Sequence, residues 1–248
     1  MKMTSTPLKL VCLNIEKNRH LDRLPLFFKE ENPDVLLLQE VLEQDVPLLE
    51  SVLQMKCLFT PIAQFPLEGT VHIGGQAILT NLPLIERWEE YYRGNKESLP
   101  FIELVPGASE AIARALSIVK VTKDEKQYCL ANTHFTWATN GGSSEKQFHD
   151  LESLFSLLSP FPDVILCGDF NSPRGTPIFD RIASKFKDNI PPDVTTTLDK
   201  NLHKAGDLQL VVDGVFTTPH YQVKSMKLVD GVSDHLAIIA NVIREEAA

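Results

Sequence analysis

The sequence lacks the features of a membrane or secreted protein. None of its apolar runs approaches the roughly 20 residues of a membrane-spanning helix. The first residues, 1–7, are not followed by the apolar segment of a signal peptide. We therefore expect a cytoplasmic protein.

Positive charge and paired cysteines are also scarce. The 24 Lys and Arg residues are outnumbered by 33 Asp and Glu residues, which gives a net charge of −9. This balance disfavours tight, sequence-independent binding to long duplex DNA, although it leaves room for a local basic groove. The four cysteines form no CxxC pair, and they lie in or beside apolar runs. We expect them to be small buried side chains rather than metal ligands or disulfides: Cys12, Cys57, Cys129 and Cys167.

Internal repeats and low-complexity linkers are missing as well. No period of 20 to 50 residues recurs along the 248 residues. We therefore expect one domain spanning residues 1–248. We also expect the protein to be a monomer. The predicted elements mix strand-helix-strand units with hairpins, which indicates mixed rather than purely parallel sheets.

The most informative stretch runs from residue 164 to residue 171. Four apolar residues in a row, starting at Val164, predict a buried strand that leads into Gly168. Asp169 and Asn171 are two residues apart, and such residues point the same way on an extended segment. We therefore expect both side chains to project from the end of this strand into one site.

Patterns elsewhere predict the remaining elements. Period-2 and continuous apolar runs predict strands at 8–15, 35–38, 57–63, 77–80, 84–91, 115–121, 127–133, 211–217, 223–229 and 236–242. Helical spacing predicts helices at 19–31 and 44–54. Ser144 with Gln147 forms a capping box for a third helix, and Thr176 before Pro177 starts a fourth that reaches about residue 186. Residues 93–111 are predicted to form a loop.

Polar residues recur at the ends of these apolar strands. Taken singly, each has an ordinary explanation, since an Asp or Asn there is commonly a turn former and a lone His a structural group. Glu40 is harder to explain in this way, because an acid so close to a buried strand needs a partner. The coincidence of eight such residues favours a shared site: Asn14, Glu40, His134, Asp169, Asn171, Asp213, Asp234 and His235.

The chemistry of this set is coherent. Carboxylates with an amide oxygen and no thiolate suit a hard divalent ion such as Mg²⁺ or Mn²⁺. A histidine beside an acid can be charged and oriented next to a phosphate. Asp169 and Asn171 together can aim a water molecule and hold a phosphoryl oxygen. The set therefore indicates metal-assisted hydrolysis of a phosphate ester.

The sequence resembles the endonuclease/exonuclease/phosphatase superfamily, which has the deoxyribonuclease I-like fold. The matching segments occur in the family's order from about residue 10 to residue 240. They are Leu-Asn-Ile at 13–15, Leu-Gln-Glu-Val at 38–41, Asn-Thr-His at 132–134, Gly-Asp-Phe-Asn at 168–171, the strand of Asp213, and Ser-Asp-His at 233–235. The resemblance implies an α/β (α+β) protein with a four-layer α-β-β-α sandwich, in which two mixed sheets pack face to face and helices lie outside.

The resemblance also implies a metal site. Glu40 would be the principal ligand of Mg²⁺ or Mn²⁺. Asn14 and Asp234 would lie close to the ion.

Catalytic roles follow from the same resemblance. Asp169 would orient or deprotonate the attacking water, and Asn171 and His134 would contact the scissile phosphate. His235 would lie across the phosphate, oriented by Asp213.

Some positions depart from the commoner pattern of the superfamily. Gln76 follows Gly75 where Asn is usual, Asn81 stands where Arg is frequent, and the Asp213 strand lacks the usual Arg and Tyr. No residue of the predicted core is lost, so these departures bear on the substrate. Arg114 either binds phosphate or pairs with an acid. Trp137 either contacts the substrate, as by stacking on a base, or packs in the core.

The sequence leaves three functions open. The first is a Mg²⁺-dependent phosphodiesterase or nuclease-like enzyme, and the second is a phosphomonoesterase of a sugar, inositol or nucleotide phosphate. The third is a non-catalytic binding protein that retains the fold. The substrate is expected to be a phosphate ester, with nucleic acid, nucleotide, phospholipid and phosphosugar all compatible with the residues.

Overall fold

The computed structural model describes residues 6–67, 69–102, 111–139 and 142–245. Within these residues the helices are α1 (Leu24–Glu31), α2 (Val46–Leu53), α3 (Glu145–Leu158) and α4 (Pro177–Lys185). The strands are β1 (Leu8–Asn14), β2 (Val35–Leu42), β3 (Lys56–Leu67), β4 (Thr70–Thr80), β5 (Leu84–Arg93), β6 (Arg114–Lys123), β7 (Lys126–His134), β8 (Ile165–Asp169), β9 (Lys187–Asp188), β10 (Asp213–Thr217), β11 (Tyr221–Val229) and β12 (Ala237–Arg244). No helix in these ranges is long and apolar enough to cross a membrane.

The strands form two six-stranded sheets, each of which is mixed. The first has the order β11-β12-β1-β2-β4-β3, and the second has the order β5-β6-β7-β8-β10-β9. The central pairs β1–β2 and β7–β8 are parallel. The pairs beside them are antiparallel, namely β1–β12, β2–β4, β6–β7 and β8–β10. A helix connects each parallel pair, α1 in the first sheet and α3 in the second. The prediction of mixed sheets is confirmed.

Alternation along the central strands builds the layers. In β1, Leu10 and Cys12 face the space between the sheets, while Val11 and Leu13 pack towards the helices. Helices α1 and α2 cover the first sheet, and α3 and α4 cover the second. This arrangement is the predicted four-layer α-β-β-α sandwich.

Helix α1 begins later than the sequence indicated. It starts at Leu24, so the predicted start at Arg19 is wrong. Pro25 lacks an N–H and is tolerated only in the first turn of a helix. The preceding residues form turns in which the carbonyl of His20 accepts the N–H groups of Arg23 and Leu24 at 3.1 Å each. The helix ends as predicted, at Glu31, and is followed by the left-handed cap residue Asn32 with φ 45°.

The predicted caps of α3 and α4 have different outcomes. Ser144 accepts the N–H of Gln147, and Gln147 returns a bond to the N–H of Ser144, so the capping box is confirmed. Thr176 precedes α4 as predicted, but its hydroxyl donates to the carbonyl of Pro173 at 2.7 Å instead of capping the helix.

Strands β3 and β4 are longer than predicted and form a projecting hairpin. Strand β2 pairs with β4 only as far as Leu42 and Gly74, whereas β3 and β4 continue pairing to Leu67 and Thr70. The predicted loop at 93–111 includes residues 103–110, which lie outside the described residues. The same holds for residues 140–141 of the polar segment before α3.

Gly168 of β8 pairs with Thr133 of β7. A Cβ atom at this position would be 2.0 Å from the backbone oxygen of Thr133. We expect Gly168→Ala to lower the free energy of unfolding by about 3 kcal/mol, because the backbone of β7 cannot yield as a side chain can. Urea unfolding measures this change. Gly142→Ala is the control, since its Cβ would have its nearest neighbour at 3.5 Å, and equal stability of the two variants would contradict the prediction.

Candidate active site

The candidate site lies where the rows of apolar side chains between the two sheets come to an end. In β1, Leu10 and Cys12 belong to the core between the sheets, and Asn14 is the next residue on that face. On three strands of the second sheet, the row of apolar side chains that faces the first sheet likewise ends in a polar residue. These are His134 in β7, Asp169 in β8 and Asp213 in β10. The sequence therefore places four polar side chains at one end of the sandwich.

Buried amides join the two sheets directly beneath this end. Gln39 of β2 donates to the side-chain oxygen of Asn132 of β7 at 2.6 Å. Gln76 of β4 donates to the carbonyl of Asn132 at 2.9 Å and accepts the N–H of His134 at 3.0 Å. All three amide side chains are fully buried. These bonds fix the position of His134, and the sequence analysis missed them although amides inside apolar runs are unusual.

Asp169 is the centre of the cluster and is 2% exposed. Its Oδ2 accepts a bond from Asn14 Nδ2 at 3.1 Å. The same oxygen lies 3.5 Å from His134 Nε2 and 3.8 Å from His235 Nε2. Its Oδ1 accepts the backbone N–H of Asn171 at 2.9 Å. One carboxylate is thus flanked by two histidines and held by two amide donors.

Asn171 is brought beside Asp169 by a turn. Strand β8 ends at Asp169, and Asn171 is left-handed with φ 49°, so the prediction that both residues extend the strand is wrong. The side chain of Asn171 instead donates from Nδ2 to the carbonyl of Phe135 at 3.0 Å. Asn171 therefore lies beside Asp169, as the sequence predicted, but it does so because the Asp169 carboxylate accepts the Asn171 N–H and caps the turn.

His235 is bonded to Asp213. Its Nδ1 lies 2.8 Å from Asp213 Oδ2. Although burial alone lowers the pKa of His235, the charges of Asp213 and Asp169 outweigh it and raise that pKa well above its usual value. The ring is therefore an imidazolium at neutral pH.

The backbone around His235 is held by a segment far away in sequence. The N–H of Asp199 donates to the carbonyl of Asp234 at 2.8 Å, and the N–H of Leu236 donates to the carbonyl of Thr197 at 2.7 Å. These two bonds bracket His235 and fix it opposite Asp169.

His134 differs from His235 in its charge. Burial and the neighbouring Arg114 guanidinium lower the pKa of His134 to about 4, so this ring is neutral at neutral pH. Arg114 donates to the carbonyl of His134 at 2.9 Å and is only 2% exposed. Among the described residues no carboxylate lies within 4.0 Å of it, so its partner is a carbonyl rather than an acid. Asp169 is therefore flanked by one neutral and one charged ring.

Glu40 occupies a bulge in β2. The register with β4 shifts between Leu38 and Val41, and Glu40 is left-handed with φ 56°. Its Oε1 accepts from Asn14 Nδ2 at 3.3 Å, and its Oε2 accepts from Lys17 Nζ at 2.6 Å. Burial raises the pKa of the Glu40 carboxyl, but Lys17 and His134 outweigh burial and hold that pKa well below its usual range. Glu40 is therefore ionised, as a metal ligand must be.

Asp234 lies with two residues that the sequence analysis missed. Glu16, His20 and Asp234 each offer one ligand atom, and these atoms lie within 4.8 Å of one another. Burial raises the pKa of Asp234 to about 6, and the charges of Glu16 and Glu40 add to this effect. This excess of negative charge, on two carboxylates beside the His20 imidazole and without thiolate, fits a divalent cation. Glu16, two residues after Asn14, was visible in the sequence as a second polar residue at the same strand end.

His203 is a fourth histidine near this end of the sandwich, after His20, His134 and His235. Its Nδ1 accepts the N–H of Ala205 at 3.2 Å, which leaves the proton on Nε2. Its ring centroid lies 6.4 Å from that of His235. The sequence analysis missed it, because no strand-end pattern marks residue 203.

Trp137 follows His134 by three residues in sequence and is 42% exposed, so it is not a core residue. Its role in binding a substrate stays a prediction.

The structure brings the eight strand-end residues together and places Arg114 behind them, beneath His134.

Comparisons with known proteins agree with this geometry. The model of the Endonuclease/Exonuclease/phosphatase family matches residues 12–235. The cattle 2',5'-phosphodiesterase 12 is 34% identical over 96 residues, which are 34% of this chain and 16% of that enzyme, so the chain spans about a sixth of this relative's length.

Solved structures show the same fold. An endonuclease/exonuclease/phosphatase from Beutenbergia cavernae has a TM-score of 0.73 at 17% identity, covering 98% of this chain and 72% of that one. A mannosyl-6-phosphatase of Bacteroides thetaiotaomicron has a TM-score of 0.68 at 13% identity, covering 95% and 99%. With a family match across both sheets and the strand-end cluster between them, the chain belongs to the endonuclease/exonuclease/phosphatase family.

Proposed function

We propose that the protein is a Mg²⁺- or Mn²⁺-dependent phosphodiesterase that uses Asp169 to activate a water molecule. The observation that carries this proposal is the position of the Asp169 carboxylate, with the charged His235 on one side and the neutral His134 on the other. A base with adjacent proton donors is what hydrolysis of a phosphate ester requires.

Each polar group has a distinct task in this proposal. Asp169 takes the proton of the water, and Asn14 and the Asn171 N–H hold its carboxylate in place. His235, kept charged by Asp213, faces the negative oxygens of the phosphate. His134 and the Asn171 side chain contribute neutral donors to the same phosphate, and Arg114 adds positive charge from behind His134.

The cation would be held by oxygen ligands at the other side of Asn14. Glu40, Asn14 and Asp234 are the predicted ligands, and Glu16 joins them in this proposal because it lies beside Asp234. When bound, the cation would neutralise charge developing on the phosphate.

A diester is the preferred substrate class, because the cattle relative is named a 2',5'-phosphodiesterase. A small or single-stranded phosphodiester also suits a chain with net charge −9. The phosphomonoesterase alternative is supported by the fold neighbour named a mannosyl-6-phosphatase. A non-catalytic role is disfavoured, since Glu40, Asp169 and His235 are all present and brought together. We also propose a single-domain enzyme, because both sheets share one core.

The proposed function predicts hydrolysis of bis-p-nitrophenyl phosphate faster than p-nitrophenyl phosphate in the presence of Mg²⁺. EDTA is expected to abolish this activity, and Glu40→Gln to lower it by about 100-fold, because the amide cannot replace the ionised ligand. Release of p-nitrophenolate measures both effects.

The matched control is Glu86→Gln. Glu86 pairs with Lys120 at 2.7 Å, as Glu40 pairs with Lys17, but it is an exposed surface residue. Full activity after EDTA treatment would remove the cation from the proposal. A preference for the monoester would favour the phosphomonoesterase.

A further inference from the structure

Lys17 lies at the proposed cation site, and none of the roles above uses it. Its Nζ is 2.6 Å from Glu40 Oε2 and 5.1 Å from the centre of the Phe65 ring, which belongs to the projecting β3–β4 hairpin. We propose that Lys17 occupies the cation site in the free enzyme and moves onto the substrate phosphate when a divalent cation binds Glu40. This inference rests on the proposed function and adds a substrate-binding residue to it.

The backbone of Lys17 is fixed beside Glu40. Its N–H donates to the carbonyl of Glu40 at 2.9 Å, and the preceding residue, Glu16, donates its N–H to the side chain of Asn14 at 3.1 Å. Both Glu16 and Lys17 are left-handed, with φ 49° and 62°. This turn sends the two side chains to different partners, Glu16 to His20 and Lys17 to Glu40.

The side chain of Lys17 is free to move although its backbone is not. It is 27% exposed, and it has four rotatable bonds between the fixed backbone and the ammonium. The ammonium can therefore leave Glu40 and still remain within the site.

Charge balance gives the reason for this movement. Both oxygens of Glu40 already accept bonds, one from Asn14 and one from Lys17. A divalent cation on this carboxylate would repel an ammonium so close to it. Displaced Lys17 then lacks its carboxylate partner, and the anion that the proposed reaction brings to this site is the substrate phosphate. Cation and phosphate should consequently strengthen each other's binding.

The test measures binding of Mn²⁺, counted by electron paramagnetic resonance, with and without inorganic phosphate. Lys17→Gln removes the charge, and we expect it to bind Mn²⁺ about fivefold more tightly than wild type when phosphate is absent. Phosphate is expected to tighten Mn²⁺ binding by about tenfold in the wild type and by only about twofold in Lys17→Gln. Lys17→Arg keeps the charge and should restore most of the coupling.

Lys120→Gln is the matched control, because Lys120 also pairs with a glutamate, at 2.7 Å, and lies 5.5 Å from an aromatic ring, that of Phe161. A merely structural role for Lys17 would weaken Mn²⁺ binding in the Gln variant, so tighter binding is a specific result. If Mn²⁺ binding depends on Glu40 but is unchanged in Lys17→Gln, the inference about Lys17 is wrong and the proposed function stands. If Mn²⁺ binding does not change in Glu40→Gln, both are wrong.

Discussion

Asp169→Asn is expected to lower kcat by at least about 100-fold, because it removes the base without changing the shape of the side chain. The Oδ2 atom of Asp169 is the oxygen that lies within 4 Å of both histidines, so in the proposed mechanism it is the atom that takes the proton. An amide at this position can still accept the N–H of Asn171 through its oxygen. It cannot take a proton from water.

The loss should fall on turnover rather than on folding. Asn keeps the volume of Asp, and the bond that caps the turn at Asn171 survives. Hydrolysis of bis-p-nitrophenyl phosphate gives kcat and KM, and thermal unfolding gives the stability of the same samples. Asp163→Asn is the control, since Asp163 also pairs with a histidine, His220, but in a cleft with Lys126 at the opposite end of β7. Turnover of Asp169→Asn within tenfold of the wild type would assign the base to another group.

The part of the site carried by regular strands could be predicted from the sequence. Apolar runs identify the central strands. Because side chains alternate between the two faces of a strand, Asn14, His134 and Asp169 lie on the face that packs against the other sheet. Parallel neighbours then bring these strand ends to the same edge. Local periodicity is enough to identify these strands and the polar side chains at their ends, and the pairing of the strands then brings those side chains together.

The part that depends on irregular backbone could not be predicted. Glu16, Lys17 and Glu40 are all left-handed although none is glycine. The periodicity of strands or helices does not predict left-handed residues of this kind, because tertiary hydrogen bonds hold them in that conformation. The bond from the Lys17 N–H to the Glu40 carbonyl is one of these. The residues before Leu24 were assigned to a helix because their apolar spacing is helical, whereas Pro25 restricts the helix to a start at Leu24.

The segment that positions His235 is a second such case. Residues 197–199 bracket it through backbone bonds, although they lie more than 30 positions away in sequence. Asp199 also accepts the N–H of Gly231, which closes the loop ahead of Asp234. The motif Ser-Asp-His predicts that His235 belongs to the site, but only the fold shows what holds the ring opposite Asp169.

His235→Ala is expected to lower kcat by about 100-fold or more, which is the second large effect. The charged ring lies 3.8 Å from Asp169 Oδ2 and 2.8 Å from Asp213 Oδ2, so it is held at the site by a carboxylate on each side. Removing it takes away the positive charge that, in the proposed mechanism, faces the phosphate. It also leaves two buried carboxylates without their shared partner.

The variant Asp213→Asn separates the charge of His235 from its presence. The amide oxygen can still accept the bond from His235 Nδ1, so the ring stays oriented, but the largest cause of its raised pKa is gone. We expect kcat to fall by about tenfold, between the wild type and His235→Ala. His220→Ala, which removes the histidine of the distant Asp163 pair, should leave kcat unchanged. Equal activity of His235→Ala and His220→Ala would show that the charged ring does not act on the phosphate. If Asp213→Asn is as slow as His235→Ala, an oriented ring without its charge gives no catalytic benefit.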